Sequence, residues 1–132
     1  MSDFISSQLL QKWVSAIKGG DANQVANLYR DDAMLLGTFS NKERIGRGLI
    51  LEYFENLLKS PVEVEIVSNN PVYESYADPD AEEVGVSCAA NSGLYNFVTG
   101  GETINARFSF VYHKDDEWKI ISHHSSIIPE SS

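Results

Sequence analysis

The stretch ARFSFVYHKDDEWKIISHHSS, residues 106–126, contains two extended runs joined by a short charged turn. Apolar and polar side chains alternate in the first run, so that one face carries Ala106, Phe108, Phe110 and Tyr112. Because neighbouring side chains of a strand point to opposite faces, this alternation predicts a strand with one face in the core. The turn at 114–116 is too short for a crossover, so the second run is expected to pair antiparallel with the first.

Helical spacing dominates the first half of the chain, and alternation dominates the second. Apolar residues recur at helical spacing in 4–18, 22–29 and 45–59, with a short strand predicted at 33–38. Further strands are predicted at 62–67, 72–77, 84–90 and 93–99, separated by turns at 68–71 and 91–93 and by the acidic loop DPDAEE at 78–83. Residues 1–132 therefore predict one α+β domain, in which three N-terminal helices pack on a strongly curved antiparallel sheet. Such a cone-like fold is expected to leave a pocket.

Composition and charge narrow the range of functions. The chain has 19 acidic and 10 basic residues, and the basic ones form no stripe that would follow a phosphate backbone. No nucleic-acid partner is therefore expected. No apolar run has the length of a membrane span, and the first residues lack the pattern of a secretory signal, which predicts no membrane partner and a cytoplasmic location. Cys88 is the sole cysteine, so no intrachain disulfide can form.

The order of elements and several motifs resemble a known group of proteins. The motifs are DAMLLGTFSN (32–41), LEYFENLL (51–58), SGLYNF (92–97), ARFSFVYHKDDEWKI (106–120) and HHSSIIPE (123–130). Together they resemble the nuclear-transport-factor-2-like (SnoaL-like) superfamily, in particular the association-domain branch of calcium/calmodulin-dependent protein kinase II and its stand-alone bacterial relatives. Within that branch, LLGTFSN, EYF, RFSFVY and HHSS-x-x-PE are similar to ι-class carbonic anhydrases, some of which are metal-free. Gly37 and Ile128 depart from the proline and methionine of typical ι-class motifs.

The resemblance implies both a chemistry and an assembly. In the ι-class, hydroxyl groups hold bicarbonate and the attacking water, which assigns this role to Thr38, Tyr53 and a serine of the HHSS stretch. Sheets of the superfamily often pair through their outer faces, so a homodimer or a higher homo-oligomer is expected.

The two adjacent histidines do not suit a metal site. His123 and His124 are neighbours in an extended strand, so their side chains are expected to leave opposite faces of the sheet. They cannot then converge on one ion, as a zinc site requires, and no metal or other cofactor is expected.

The same alternation divides the last strand into two sets of side chains. One set is Trp118, Ile120, Ser122, His124 and Ser126, and the other is Lys119, Ile121, His123 and Ser125. The Trp118 set has the larger apolar body, which favours His124 and Ser126 as pocket residues, with His123 and Ser125 as the alternative. On the preceding strand, Arg107 and Ser109 lie opposite the core face. They are expected either at a subunit contact or in a polar cavity, where the arginine would bind a small anion unless it pairs with a carboxylate.

These observations lead to three hypotheses for function. The first is a small-molecule pocket enzyme, most concretely a metal-free carbonic anhydrase. In it His124 acts as the general base, and Thr38, Tyr53 and Ser126 donate hydrogen bonds to the developing bicarbonate. The second is a non-catalytic oligomerisation module, and the third is a protein that binds a small polar ligand in the same fold.

Overall fold

A computed structural model describes residues 4–75 and 87–129 of the chain, and the predicted acidic loop at 78–83 lies outside them. The α+β prediction is confirmed, with helices on one face of a six-stranded sheet. The elements are α1 (Ile5–Gly19), α2 (Ala22–Ala26), β1 (Tyr29–Leu36), β2 (Arg44–Ile45), α3 (Arg47–Leu57), β3 (Glu63–Ser75), β4 (Ser87–Thr99), β5 (Glu102–Lys114) and β6 (Trp118–Ile127). Among the described helices, none combines the length and the apolar composition that a bilayer-spanning segment needs.

The six strands lie in the order β2-β1-β6-β5-β4-β3. From β3 to β6 each strand pairs antiparallel with the next, and the short turns of the β4–β5 and β5–β6 connections predict this for those two pairs. The pairing of β1 with β6 is parallel, so the sheet is mixed rather than purely antiparallel. No hairpin joins these two strands, because α3 and the strands β2, β3, β4 and β5 separate them along the chain, so tight turns predict nothing about their pairing.

Two of the predicted turns are wrong. Residues 68–71 belong to β3 and residues 91–93 to β4, and each of these strands runs for 13 residues. The polar residues at 68–71 lie between two register shifts of the β3–β4 ladder, where bulges absorb the irregular pattern. Gly93 is needed because a Cβ there would collide with the carbonyl oxygen of Ser68 across the ladder.

An aromatic core fills the space between the helices and the inner face of the sheet. The indole of Trp13 on α1 stacks on Tyr95 of β4, with ring centroids 5.6 Å apart and planes inclined by 11°. Phe97, Phe108 and Phe110 pack around this pair from β4 and β5. The predicted alternation of β5 is confirmed, because Ala106, Phe108, Phe110 and Tyr112 are all buried.

The N-terminus of α1 is capped by the sheet rather than by its own sequence. Phe4 occupies the N-cap position and makes no side-chain cap hydrogen bond. Instead the Glu74 carboxylate on β3 accepts hydrogen bonds from the backbone N–H groups of Ile5 (3.2 Å) and Ser6 (2.8 Å) and from the Ser6 hydroxyl (2.8 Å). A carboxylate at this end of a helix also interacts favourably with the helix dipole. Glu74 therefore fixes α1, and with it Trp13, against the sheet.

The substitution Glu74→Ala tests this cap. We expect it to lower the free energy of unfolding by about 1–2 kcal/mol, because it leaves helix-terminal N–H groups without their acceptor. The matched control is Glu63→Ala on the same strand, which removes only an exposed contact to Lys18 at 3.7 Å and should cost less than about 0.5 kcal/mol. Urea unfolding followed by tryptophan fluorescence measures both, and equal losses in the two variants would contradict the assignment.

Candidate functional site

A β-bulge in the last strand decides which side chains reach the interior. Tyr112 and Val111 of β5 are opposite Ile120 and Ser122 of β6, so Ile121 is an additional residue in β6. Before the bulge Ile120 is buried, and after it the inward positions are His123 and Ser125, which are 3% and 4% exposed. The prediction that His124 and Ser126 share the interior with Trp118 and Ile120 is therefore wrong. It assumed an uninterrupted alternation, whereas the bulge shifts it by one residue.

The imidazole of His123 lies inside the aromatic core. Its ring stacks on Phe110 with centroids 3.9 Å apart, and the Trp13 ring meets it edge-on at 5.3 Å. Both ring nitrogens are hydrogen-bonded to tyrosine hydroxyls, Nδ1 to Tyr29 at 2.7 Å and Nε2 to Tyr95 at 3.1 Å. The side chain is thus fully satisfied without contact with solvent.

The directions of these hydrogen bonds follow from the Tyr95 hydroxyl, which donates its one proton to the Ser125 hydroxyl at 2.6 Å. The Tyr95 oxygen therefore accepts from Nε2–H of His123, and in the neutral ring Nδ1 is left as the acceptor for the Tyr29 hydroxyl. The Trp13 indole N–H donates to the Tyr29 oxygen at 3.0 Å. The core therefore contains a chain of donors that runs in one direction, from Trp13 to Ser125.

Burial keeps the ionisable side chains of this hydrogen-bonded donor chain neutral. Loss of solvent, with a smaller contribution from His124, lowers the pKa of His123 to about 3. Burial also raises the pKa of Tyr29 and Tyr95 well above the usual tyrosine value. Because the folded pKa of His123 lies below its unfolded value, the neutral ring contributes stability above the unfolded pKa. That contribution is lost as the pH falls from about 6.5 towards 3.

Thr38 and Ser125 meet at the end of the donor chain, and the Tyr53 hydroxyl contacts the backbone next to Thr38. The Thr38 and Ser125 hydroxyl oxygens are 2.5 Å apart, and the Tyr53 hydroxyl accepts a hydrogen bond from the Phe39 N–H at 3.3 Å. Gly37 allows this approach, because a Cβ there would collide with the Tyr53 ring. Burial raises the pKa of Tyr53 to about 12, so the hydroxyl is neutral. We call Thr38, Tyr53, Tyr95 and Ser125 the hydroxyl cluster.

A groove of about 340 Å³ lies beside the hydroxyl cluster, with Tyr53 and Phe39 in its wall. Arg44 also lines it, held by Glu52 at 3.1 Å and by the Leu49 carbonyl oxygen at 2.9 Å. Of the cluster, Tyr53 lines this groove, so its side chain is the member that a small molecule in the groove would contact.

The remaining predicted site residues lie on the outer face of the sheet. Arg107, Ser109, His124 and Ser126 line a second groove of about 270 Å³ together with Ser92, Gly93 and Phe108. The Arg107 Nε donates to the Ser126 hydroxyl at 3.3 Å, and the Ser92 and Ser109 hydroxyls are 2.7 Å apart. A mechanism that joins His124 and Ser126 to Thr38 and Tyr53 is therefore wrong in its geometry, because the sheet separates the two pairs. Within residues 4–75 and 87–129, no group of three His, Cys, Asp or Glu side chains is placed to hold a metal ion.

Sequence reasoning missed three members of the inner chain, Trp13, Tyr29 and Tyr95. All three are buried and lie far apart in sequence, so spacing gives no sign that they meet. The available signal is that a tyrosine at an apolar position of a helix or strand needs a partner for its hydroxyl.

The protonation state of His123 can be measured directly. We expect its ring to stay neutral, with the proton on Nε2, from pH 8 to pH 5. The reason is that a charged imidazole in the core loses its hydration, which keeps the pKa of the ring below this pH range. Nitrogen-15 chemical shifts of the histidine rings report both the charge and the tautomer. His124, which is exposed, is the internal control, and His124→Gln assigns the spectrum without touching the core. Titration of His123 above pH 5 would contradict the buried donor chain.

Comparisons with known proteins agree with this architecture. The calcium/calmodulin dependent protein kinase II association domain family model matches residues 6–129. A candidate association domain of this kind from Xanthomonas campestris is 34% identical, with a TM-score of 0.79 over 95% of this chain and 86% of that chain.

More distant structures share the fold alone. An NTF2-like protein of unknown function from Pseudomonas putida is 16% identical, with a TM-score of 0.74 over 96% of this chain and 86% of that one. A candidate ketosteroid isomerase from Parabacteroides distasonis is 14% identical, with a TM-score of 0.67 over 98% of this chain and 92% of that one. On the family match and the 34% identity, the chain belongs to the calcium/calmodulin dependent protein kinase II association domain family and has the NTF2-like fold.

Proposed function

We propose that this chain is a self-association module that pairs with a second copy of itself through the outer face of its sheet. The observation that carries the proposal is the charge of that face. The outward side chains of β4 from 90 to 98, of β5 from 103 to 111 and of β6 from 122 to 126 include no carboxylate. Nineteen of the 132 residues are acidic, and on the same side of the sheet Glu63 and Glu65 of β3 border this area, opposite Val98 and Asn96.

Small polar and aliphatic side chains form most of this carboxylate-free face of β4, β5 and β6. Its outward residues are Ala90, Ser92, Leu94, Asn96, Val98, Thr103, Asn105, Arg107, Ser109, Val111, Ser122, His124 and Ser126. Leu94 is 38% exposed near its centre, and Leu36 at the adjoining part of β1 is 37% exposed. Interface centres are depleted in charged side chains, Asp and Glu among them. A two-fold pairing of identical faces also avoids repulsion between carboxylates.

The interior supports a structural role as well. Phe110 and Trp13 pack directly on the His123 ring, and the hydrogen bonds of that ring are used within the core. A histidine held neutral and enclosed in this way stabilises one arrangement of helices on the sheet. The similar Xanthomonas campestris protein carries an association-domain description, which agrees with a module of this kind.

The substitution Leu94→Lys tests the proposed interface. The wild-type protein is expected to be a dimer at micromolar concentration, and the variant a monomer, because a lysine at the centre of the face places like charges against each other. Leu49→Lys is the matched control, since Leu49 is 42% exposed on α3, away from the outer face. Sedimentation velocity distinguishes the species. A wild-type monomer at high concentration, or a Leu94→Lys dimer as stable as the control, would refute the proposal.

A second candidate function is metal-free hydration of CO2 at the hydroxyl cluster. It is favoured by the hydrogen-bonded Thr38 and Ser125 hydroxyls and by the Tyr53 side chain in the wall of a nearby groove, which offer hydroxyl donors for bicarbonate oxygens. His123 is a poor base for this reaction, because its pKa is lowered to about 3. With no strong base among the residues of the cluster, turnover would be modest.

Stopped-flow CO2 hydration with chelator-treated protein tests the second candidate. If the cluster is catalytic, the protein gives a rate above that of buffer, and Thr38→Val lowers this rate at least about tenfold by removing one donor. Ser109→Ala on the outer face is the control and should leave the rate unchanged. The absence of any rate above buffer at micromolar protein would remove this function.

A further inference from the structure

Arg107 differs from the other three arginines of the chain. Arg30 pairs with Asp32 at 2.6 Å, Arg44 with Glu52 at 3.1 Å and Arg47 with Asp31 at 3.7 Å. In the described ranges 4–75 and 87–129, no carboxylate lies within ion-pair distance of Arg107. Its one described hydrogen bond runs from Nε to the Ser126 hydroxyl, so the terminal guanidinium nitrogens are directed elsewhere. An arginine without an acidic partner is unexpected in a protein with a net charge of −9.

The surroundings of Arg107 are those of an oxyanion site. The outer groove of about 270 Å³ contains this guanidinium, the imidazole of His124 and the hydroxyls of Ser92, Ser109 and Ser126. Strand pairing fixes these positions, because Arg107 is opposite Ser126 and Ser109 is opposite both His124 and Ser92. Guanidinium and hydroxyl donors on rigid neighbouring strands provide several hydrogen bonds to one small anion. In a hydroxyl pair such as Ser92 and Ser109, one hydroxyl donates to the other, and the second can still donate its own proton to an anion.

The position of Arg107 would bring two guanidinium groups together in a two-fold interface, where a bound anion would offset their repulsion. β5 lies between β4 and β6, so Arg107 is near the middle of the carboxylate-free face. If two copies pair across this face about a two-fold axis, residues near the axis meet their own copies, and two guanidinium groups approach each other. An unpaired charge buried in an interface is strongly unfavourable, whereas a charge that meets a counter-ion and hydroxyl donors is not.

We propose that the outer groove binds a small oxyanion, phosphate-like or carboxylate-like, through Arg107 and the serine hydroxyls, and that the bound anion strengthens pairing of the two copies. The second half rests on the proposed self-association, and the first half does not. The ligand is a free anion in solution, small enough for the groove, and it replaces the acidic side chain that the sequence does not supply to Arg107.

Two measurements on the same samples test the proposal, each with wild-type protein, Arg107→Gln and the control Arg47→Gln. Isothermal titration with inorganic phosphate measures anion binding directly, with acetate as a carboxylate probe. Sedimentation velocity in phosphate and in chloride at matched ionic strength measures the dimer. Arg107 is exposed, so its substitution leaves the core intact, and circular dichroism checks that it does.

The expected result is phosphate binding by wild-type protein and Arg47→Gln, lost at least about tenfold in Arg107→Gln because the charge-assisted hydrogen bonds are removed. The wild-type dimer should also be about tenfold tighter in phosphate than in chloride, and the Arg107→Gln dimer should not respond. Equal phosphate binding in all three proteins, or none at millimolar phosphate, overturns the anion site whatever the oligomeric state. Arg107-dependent phosphate binding by a protein that stays monomeric in every buffer would instead refute the pairing and the proposed function. The anion site in the outer groove would then be retained.

Discussion

The need to satisfy a buried imidazole is the constraint on which much of this structure depends. His123 lies in an aromatic core, and each of its nitrogens needs a partner that burial does not otherwise provide. Tyr29 from the first strand and Tyr95 from the fourth supply the two hydroxyls, and the Trp13 indole on α1 donates to Tyr29. One polar group thus requires helix, first strand, fourth strand and last strand to be in place together. Glu74 secures the helix that brings Trp13 to this point.

The bulge at Ile121 determines which side chains of the last strand are buried and which lie on the outer face. If the strand alternated through Ile121 without a bulge, His124 and Ser126 would point into the core, and His123 and Ser125 would lie outside. With it, one histidine and one serine complete the buried donor chain, and the other pair faces the groove around Arg107. Two adjacent residues of the same type therefore have different environments and different chemistry. The inner pair stabilises the fold, and we assign the outer pair to association.

The sequence predicts the α+β class, the three helices and the core face of β5, because each depends on a local period that side-chain burial enforces. It does not predict the continuous strands β3 and β4, since residues typical of turns are accommodated there by bulges and by the contact at Gly93. Tyr29 was expected in the second helix and instead begins β1. The parallel pairing of β1 with β6 also produces no local sequence pattern from which it could be predicted.

For the candidate site, the residue types were predictable and the geometry was not. Thr38 and Ser125 are hydrogen-bonded to each other and Tyr53 to the Phe39 N–H, whereas the roles that the family resemblance implies for them stay a prediction. The favoured partners His124 and Ser126 lie on the opposite face, because a bulge shifts the alternation at a place where Ile120 and Ile121 are interchangeable in pattern. A strand period can assign faces only between bulges, and a single sequence does not show where the bulges are.

The central claim is that the carboxylate-free face is covered by a second copy of the chain. It is tested most directly by methyl NMR on unmodified protein with a soluble paramagnetic agent, recorded over a range of protein concentrations. Because a second copy would cover Leu94, we expect the paramagnetic relaxation of its methyls to fall as the protein is concentrated. The Leu49 methyls on α3 should remain equally accessible at all concentrations. Equal and concentration-independent relaxation at both residues would contradict it.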